Sequence, residues 1–483
     1  MISNDTKVNL LAANNAGSDG GYVDMVMWVG DPSDPTKGNI IDNSMIDAFT
    51  ITENMFTLLP TMVFQIITKG RFYHYDNIKI GDIINVTLTP KKLSEDDEDP
   101  EPYLKGSFLV QTITNDPMQG AGVYLNKYIC IYIAQRYLSE IAPYPSMNLS
   151  TALLYLKTTS TEALTSVLGE CGLRLQDDTD SGEIDDRSYW LNCNETRAMF
   201  ANRIVEHAWA GRGNSPLLYT DIFGNTHYKT IKDICKSEKD KGVMDVKYIF
   251  MKNLNHTTNN PNNKENVVLM SDMHAINAAG PILNKGGYSL NYAIYNPYNL
   301  DKIPHKQNAI GNIEGVTDES IPVYKTANVA SVLSNQDDDG RSDGYRSVHI
   351  AFKENLLATI PNRQPSEKDV VTLNSNGGIH FDELHPNYDL APIHNEQVRR
   401  NFFQQFVKII VDGNRQLKCF NNVSNRPRIG ETIYVDTSSQ DTPDVVYTGR
   451  YCIVEVKYAF GYKKPYTLEI TVANDGYYGD QHE

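Results

Sequence analysis

Apolar residues recur along this chain mainly at the spacing of β-strands. Segments 22–29, 49–66 and 128–133 are rich in apolar and β-branched residues, which predicts strands of one β-rich region. Near the C-terminus, residues 466–472 alternate between apolar and polar side chains, which predicts a strand with one buried face. The two ends of the chain are therefore expected to be β-structured.

One pattern of strand-like segments occurs twice in the same order. The first copy comprises segments 64–70, 80–86 and 106–110, and the second comprises segments 407–413, 429–435 and 449–454. In each copy the middle segment opens with Ile-Gly and an acidic residue, which is typical of a turn before a strand. Two unrelated hairpins can share such glycines, but three segments in one order favour a duplication. We therefore predict two related antiparallel β-barrels, with Phe64 of the first copy matching Val407 of the second.

The middle of the chain changes to helical spacing. Thr159 and Glu162 form a capping-box pattern before a short helix that ends near Gly172. A second helix is expected after Asn194, with Glu195 in its first turn. Residues 189–191 and 217–225 are expected to form a short strand and a strand that enters a hairpin turn. The sequence thus predicts a small α+β module.

Changes in composition divide the chain into six parts. These are a flexible arm at 1–20, a first β-barrel domain at 21–150, an α+β insertion domain at 151–245, a loop-rich domain with some strands at 246–395, a second β-barrel segment at 396–476 and a tail at 477–483. The predicted fold class is a β-rich α+β protein, in which two related antiparallel β-barrel domains are separated by a smaller α+β insertion domain.

Charge and cysteine usage narrow the function classes. The net charge of −16 and the pI near 5.2 argue against sequence-specific nucleic-acid binding and against an anionic membrane surface. The six cysteines include no Cys-x-x-Cys pair, so buried thiols are favoured over a disulfide frame or a zinc site. The N-terminus has no signal-peptide pattern, and the longest apolar run is short, so no membrane anchor is expected.

Candidate chemistry is sparse. His380, His385 and His394 lie close in sequence, but their spacing fits neither a helix face nor a strand pair, and surface loop histidines are the favoured interpretation. His207 is expected to be a partly buried structural histidine. Segment 335–340 begins like a calcium loop, yet Arg346 occupies the position where a bidentate Glu is required. We predict no catalytic residue, no cofactor and no metal ligand.

Two surface features have both a structural and a functional interpretation. The acidic run at 95–102 is favoured as a solvated hairpin tip over a docking site for a basic partner. Four tyrosines fall in a loop-rich context and are favoured as packing residues over an interface patch: Tyr288, Tyr292, Tyr295 and Tyr298.

The layout resembles the central baseplate hub of contractile-tailed phages and related injection machines. The resemblance is carried by segments 188–191, 194–200 and 215–225, which are similar to the helix and hairpin of the hub's insertion domain. Segments 449–454 and 466–472 are similar to the closing strands of the hub's second tube-like barrel.

The resemblance implies a non-enzymatic structural virion protein, made in the host bacterial cytoplasm and located in the tail baseplate. Three chains with two barrels each would form a pseudo-six-fold ring that joins the tail tube to the trimeric central spike and lets DNA pass. The implied partners are the tail tube protein, the central spike protein and the baseplate wedge proteins, with the tape measure protein as a further candidate. The alternatives are a receptor- or carbohydrate-binding tail protein that uses the tyrosine-rich segment 288–298, and a glycosidase.

Overall fold

The structure of the 483-residue chain is a computed structural model. It describes residues 23–69, 78–90, 104–117, 123–142, 157–176, 186–192, 194–211, 214–235, 248–251, 267–277, 289–295, 302–307, 346–352, 370–374, 377–380, 388, 391–403, 405–412, 426–437, 447–461 and 464–474.

Strands account for most of the described secondary structure. The first group is β1 (Val23–Val29), β2 (Asn39–Ile41), β3 (Ile46–Asn54), β4 (Thr61–Lys69), β5 (Ile83–Pro90), β6 (Leu104–Pro117) and β7 (Val123–Tyr132). The middle group is β8 (Lys157–Thr158), β9 (Arg174–Leu175), β10 (Ser188–Tyr189), β11 (Pro216–Thr220), β12 (Asn225–Thr230), β13 (Ile249–Met251), β14 (Val267–Leu269) and β15 (Asp272–Asn277). The last group is β16 (Ser289–Tyr295), β17 (Lys302–Gln307), β18 (Arg346–Phe352), β19 (Val370–Asn374), β20 (Gly377–His380), β21 (Gln405–Asp412), β22 (Thr432–Asp436), β23 (Gly449–Gly461) and β24 (Lys464–Asn474).

The helices are short and few. The α-helices are α1 (Gln135–Leu138), α2 (Ser160–Gly169), α3 (Arg197–His207), α4 (Ile231–Cys235) and α5 (Ala391–Phe402), and two 3-10 turns cover Pro35–Lys37 and Asn43–Met45. The longest described helix, α5, has 12 residues, and none in the described ranges combines the length and hydropathy of a membrane-spanning helix.

Fourteen strands pair into one large sheet. Its pairs are antiparallel except where β13 pairs in parallel with β14 and β22. The β-rich prediction is therefore confirmed. Among the described strands the pairings do not return to their starting strand, so a closed barrel is not part of the described structure.

The two sequence copies have the same strand order. The first copy runs β5, β6, β7, β4 across the sheet, and the second runs β22, β23, β24, β21. In the first copy the Gly81 amide donates to the Val110 carbonyl at 2.9 Å, and the Val110 amide donates to the Asp82 carbonyl at 3.0 Å. In the second copy the Gly430 amide donates to the Ile453 carbonyl at 2.8 Å, and the Ile453 amide donates to the Glu431 carbonyl at 2.9 Å.

Strands β6 and β23, which hold corresponding positions in the two copies, also bulge at the same place. The pairing of β6 with β7 shifts register between Val110 and Thr112, and that of β23 with β24 shifts between Ile453 and Glu455. A bulge leaves one residue unpaired and bends its strand, so an equivalent bulge gives both copies the same curvature.

The strand pairing corrects the sequence alignment of β4 with β21. The second residue pair beyond each bulge ends at Tyr128 of β7 and at Ile470 of β24, so these two residues are equivalent. Phe64 pairs with Tyr128 and Ile409 pairs with Ile470, so the structural equivalent of Phe64 is Ile409. The sequence alignment with Val407 was wrong by two residues. A shift of two keeps every side chain on the same face of a strand, so the hydrophobic pattern cannot detect it.

Strand β3 joins the two copies into one sheet. One edge of β3 pairs with β4 of the first copy, and the other edge pairs with β23 of the second copy beyond its bulge. The main core correspondingly includes buried side chains from both copies, such as Phe64, Phe108, Ile409 and Val456. Burial of this apolar surface is the main force that holds the copies together.

A second core belongs to the helical module. The predicted capping box is confirmed at the N-terminus of α2, where the Thr159 hydroxyl accepts from the Glu162 amide and the Glu162 carboxylate accepts from the Thr159 amide. The predicted start of the second helix was early: Thr196 is the N-cap of α3, and Glu195 lies before it and contacts Arg203 at 3.0 Å. The predicted strand at 189–191 is shorter than expected, because Trp190 turns into this core and its indole N–H donates to the Thr158 carbonyl.

The region 246–395 contains strands β13 to β20 and the start of α5. Tyr292 and Tyr295 lie in β16, the central strand of a three-stranded sheet, and not in a loop as expected. The expectation that His394 is a surface loop residue was also wrong, since His394 is buried in α5 against Trp209. His380 ends β20. His385, Tyr288, Tyr298 and segments 95–102 and 335–340 lie outside the described residues.

Candidate functional site

The hairpin formed by β11 and β12 sits where the two copies meet. Its turn is organised by Asp221, whose Oδ1 accepts hydrogen bonds from the Phe223 and Asn225 amides at 2.8 and 2.9 Å. Gly224 has a φ of +81°, which favours glycine, and its amide donates to the Asp221 carbonyl. The predicted hairpin at 217–225 is thereby confirmed. We call residues 216–230 the junction hairpin.

The junction hairpin contacts the first copy through its turn. The Ile222 amide donates to Glu53 Oε1 of β3 at 3.0 Å. The Ile222 side chain is buried in the main core beside Gly106. On the other side of the turn, the Tyr132 hydroxyl packs against Gly224 so closely that a Cβ at this position would collide with it.

The same hairpin contacts the second copy through Tyr219. The buried Tyr219 hydroxyl donates to the Ile429 carbonyl at 3.4 Å and packs against Gly430, the turn glycine of the second copy. Along β11, Leu217 and Tyr219 belong to the main core, whereas Leu218 belongs to the core of the helical module. One fully buried strand therefore packs against both copies and the module.

A buried charge cluster ties these elements together. Arg426, which precedes the second-copy turn, lies 3.9 Å from Glu53 and 3.7 Å from Asp221, and its guanidinium stacks 3.9 Å from the centre of the Phe223 ring. Glu53 and Arg426 are each 1% exposed. We call Glu53, Asp221 and Arg426 the junction charge cluster.

The two carboxylates of the cluster differ in acidity. Burial raises the pKa of Glu53 to about 7, although the Arg426 guanidinium opposes the shift. Burial also acts to raise the pKa of Asp221, but the His227 imidazole 3.8 Å away, the Asn225 hydrogen bonds and Arg426 outweigh it and leave that pKa below its usual value. Asp221 is therefore the permanent anion of the cluster, and Glu53 is the group that titrates near neutral pH.

The geometry of the cluster suits positioning and not turnover. Its three charged side chains are buried, so they present no open face to a substrate. A buried cation between two carboxylates requires all three groups in place, because removal of one leaves an uncompensated charge. The cluster therefore fixes how β3, the junction hairpin and the second copy meet.

Three free cysteines and His207 are buried. Burial raises the pKa of Cys130 and Cys452 to about 12 and that of Cys171 to about 11, so these free thiols stay protonated near neutral pH. His207 stacks on the Tyr388 ring, and its Nδ1 lies 3.0 Å from the Tyr388 carbonyl oxygen. Within the described ranges, no three His, Cys, Asp or Glu side chains come together as a metal site.

The sequence predicts only part of this junction. It predicts a hairpin turn at Asp221, Gly224 and Asn225, but it does not point to Glu53 and Arg426 as functional residues. One signal was available for Glu53: it follows Phe49 and Ile51 at strand spacing, which places its carboxylate on the core-facing side of β3. Arg426 lies in an irregular segment and has no such signal.

No protein-family model and no curated protein matches the chain, but solved structures do. The 43 kDa tail protein of prophage MuSo2 from Shewanella oneidensis is 11% identical, with 94% of this chain and 98% of that chain covered and a TM-score of 0.50. The chain thus has the fold of a phage tail protein.

Two further structures are similar at lower scores. The tail protein from Neisseria meningitidis is 8% identical over 94% of this chain and 97% of that chain, with a TM-score of 0.44. A type VI secretion system component from E. coli, which exhibits structural similarity to the T4 bacteriophage tail proteins gp27 and gp5, is 9% identical over 89% of this chain and 73% of that chain, with a TM-score of 0.37.

Proposed function

We propose that this protein is a non-enzymatic structural component of a tail baseplate: a homotrimeric hub that joins the tail tube to the central spike. The single observation that carries the proposal is the duplicated four-stranded unit, which repeats strand order, glycine turn and bulge within one chain. The fold shared with a prophage tail protein supports the same class of function.

The duplication supports a symmetry adaptor. Closed rings form when the same contact repeats around an axis. A chain with two equivalent units contributes two sectors to such a ring, so three chains contribute six. A ring of this kind matches a six-fold tube on one face and a three-fold spike on the other. Baseplate wedge proteins and the tape measure protein are further proposed partners.

The junction hairpin supports this role, because a symmetry adaptor needs a fixed angle between its two units. The hairpin contacts the turn of the second copy through Tyr219. Its own turn contacts the bridging strand β3 through the Ile222 amide and β6 of the first copy through the Ile222 side chain. In the proposed ring, residues 21–150 and 396–476 supply the two barrel units, and residues 151–245 supply the insertion domain that holds them.

The net charge supports passage of DNA through the ring. The chain carries a formal charge of −16, and like charge discourages adhesion of DNA within about 8 Å of a wall at physiological salt. We expect an acidic lumen, and a basic lumen surface in the assembled ring would contradict this part of the proposal.

The test is the native mass and symmetry of the purified chain, alone and mixed with the tail tube protein of the same genome. We expect a three-chain ring that nucleates tube assembly. A monomer at every concentration that ignores the tube protein would contradict the proposal. Binding of that monomer to cells or glycans would favour the receptor-binding alternative.

A further inference from the structure

We propose that the distal half of β6 and the outer edge of β15 are two halves of one intermolecular strand junction. Residues 113–117 of one copy would pair antiparallel with residues 273–277 of a second copy. The proposal rests on the homotrimeric ring proposed above and specifies the contact that closes it. We call these two strand segments the β6 edge and the β15 edge.

The internal junction between the two copies supplies the template. Beyond its bulge, β23 pairs with β3 in a defined register, with Val456 opposite Glu53 and Tyr458 opposite Ile51. The other edge of β3 pairs with β4, with Ile51 opposite Met62. Strand β3 therefore links β23 of the second copy to β4 of the first copy.

Strand β15 has the same position relative to the second copy that β3 has relative to the first copy. Phe49 of β3 pairs with Phe64, and Met273 of β15 pairs with Ile409, the structural equivalent of Phe64. Among the described residues, β15 pairs with β21 alone. Its outer edge is thus the equivalent of the edge with which β3 binds β23.

The β6 edge of the first copy corresponds to the part of β23 beyond its bulge in the second copy. The bulges make Thr112 equivalent to Glu455, so Ile113 is equivalent to Val456. Among the described strands, residues 112–117 pair with β7 on one side only. Transfer of the internal register places Thr114 opposite Ile276 and Asp116 opposite His274 of the second copy.

Side chains at both edges are less buried than their equivalents at the internal junction. Val456, Phe49 and Ile51 are fully buried at the internal junction. Their equivalents Ile113, Met273 and Ala275 pack against the same core but are only partly buried. A second copy would complete the burial at both edges at once, which favours association.

The solvent face of the β15 edge carries an apolar side chain. Ile276 is 64% exposed, on a strand whose outer backbone edge pairs with no described residue. Unpaired apolar edges promote strand addition, and proteins normally protect them. The facing side chains are compatible, since Thr114 would cover Ile276 and the Asp116 carboxylate would face the His274 imidazole.

Each chain carries one edge of each kind, so the contact is head-to-tail and can close into a ring. The test is a disulfide cross-link in the double variant Thr114→Cys/Ile276→Cys. Directly opposed residues have Cβ atoms about 4.5–5.5 Å apart, close to disulfide geometry. Mild oxidation of the full chain is expected to give covalent species of up to three chains on a denaturing gel.

The matched control is the double variant Thr114→Cys/Asp272→Cys. Asp272 lies on the same face of β15 as Ile276 but four residues away, about 13 Å along the strand. It is expected to cross-link no more than the wild-type chain, whose native cysteines set the background. Equal cross-linking of both double variants would overturn the proposed register.

A second measurement does not depend on cysteine chemistry. Ile276→Lys places a charge in the proposed contact and is expected to raise the concentration for half-maximal assembly at least about tenfold. Met199→Lys is the control, because Met199 is 60% exposed on α3 and lies outside both edges. A trimer that tolerates Ile276→Lys would overturn the edge contact and leave the ring intact, whereas a wild-type chain that never assembles would overturn the ring itself.

Discussion

The internal junction and the β6 and β15 edges are built from equivalent strands, yet they differ in burial. Tyr458 of β23, which pairs with Ile51 of β3, is fully buried, whereas Asn115, its equivalent on β6, is exposed. The turn, the bulge and the strand order are the same on both sides. The local sequence thus specifies the repeated four-stranded unit. The presence of a paired neighbouring strand, such as β3 beside β23, determines which of its side chains are buried.

The largest expected difference between junction and edge comes from core truncation. Phe49→Ala should lower the free energy of unfolding by about 3–5 kcal/mol, because it empties a fully buried position. Met273→Ala at the equivalent edge position should cost less than about 2 kcal/mol in the isolated chain, since Met273 is only partly buried. Urea titration of monomeric protein measures both values, and equal losses would contradict the difference in burial between the internal junction and the β15 edge.

The junction charge cluster adds a pH dependence to the free energy of unfolding. The pKa of Glu53 is about 7 in the folded chain against an ordinary value of 4.5, so the folded state binds more protons between these values. The free energy of unfolding should therefore fall by up to about 3 kcal/mol as pH rises from 4.5 to 7. Glu53→Gln should remove this slope.

The control for this slope is Glu455→Gln, which changes a half-buried carboxylate on the next residue pair of the same junction. Urea titrations at several pH values should show the slope in this variant as in the wild type. An unchanged slope in Glu53→Gln would instead assign the pH dependence to other groups. The equivalent of Glu53 on β15 is Asn277, so no carboxylate occupies that position at the edge.

The two turn glycines offer a smaller, matched comparison. Gly81 and Gly430 have φ values of +92° and +81°, so alanine at either position should cost about 1–2 kcal/mol of backbone strain. A Cβ on Gly81 meets open space, whereas a Cβ on Gly430 collides with the Tyr219 hydroxyl. Gly430→Ala should therefore lower the melting temperature more than Gly81→Ala, and Tyr219→Phe should recover part of the difference.

The smallest expected effects test whether the two turns are equivalent. Asp82 Oδ2 accepts from the Lys79 amide at 2.7 Å, and Glu431 Oε2 accepts from the Arg428 amide at 3.1 Å. Asp82→Ala and Glu431→Ala should each cost about 0.5–1.5 kcal/mol, the typical net value of one such bond. Thermal unfolding of both variants measures the two losses, and a much larger loss in one would show that its carboxylate has a further role.

The sequence predicts the local features because they depend on interactions between neighbouring residues. The glycine turns, the junction hairpin, the capping box of α2 and the alternation in β24 each follow from a few adjacent residues. It failed where the decisive partner is distant. His394 was expected at the surface, and only the packing of α5 against the segment at Trp209 buries it.

By itself, the sequence determined that the chain is β-rich, that one unit occurs twice and that a helical module separates the copies, because strand period, turn glycines and helix caps are written in neighbouring residues. Only the tertiary structure decided that β3 bridges the copies, that Phe64 matches Ile409 and that Arg426 meets Glu53 and Asp221. These facts depend on strand pairing and charge burial between residues hundreds of positions apart, and a period-two pattern is unchanged by a two-residue shift.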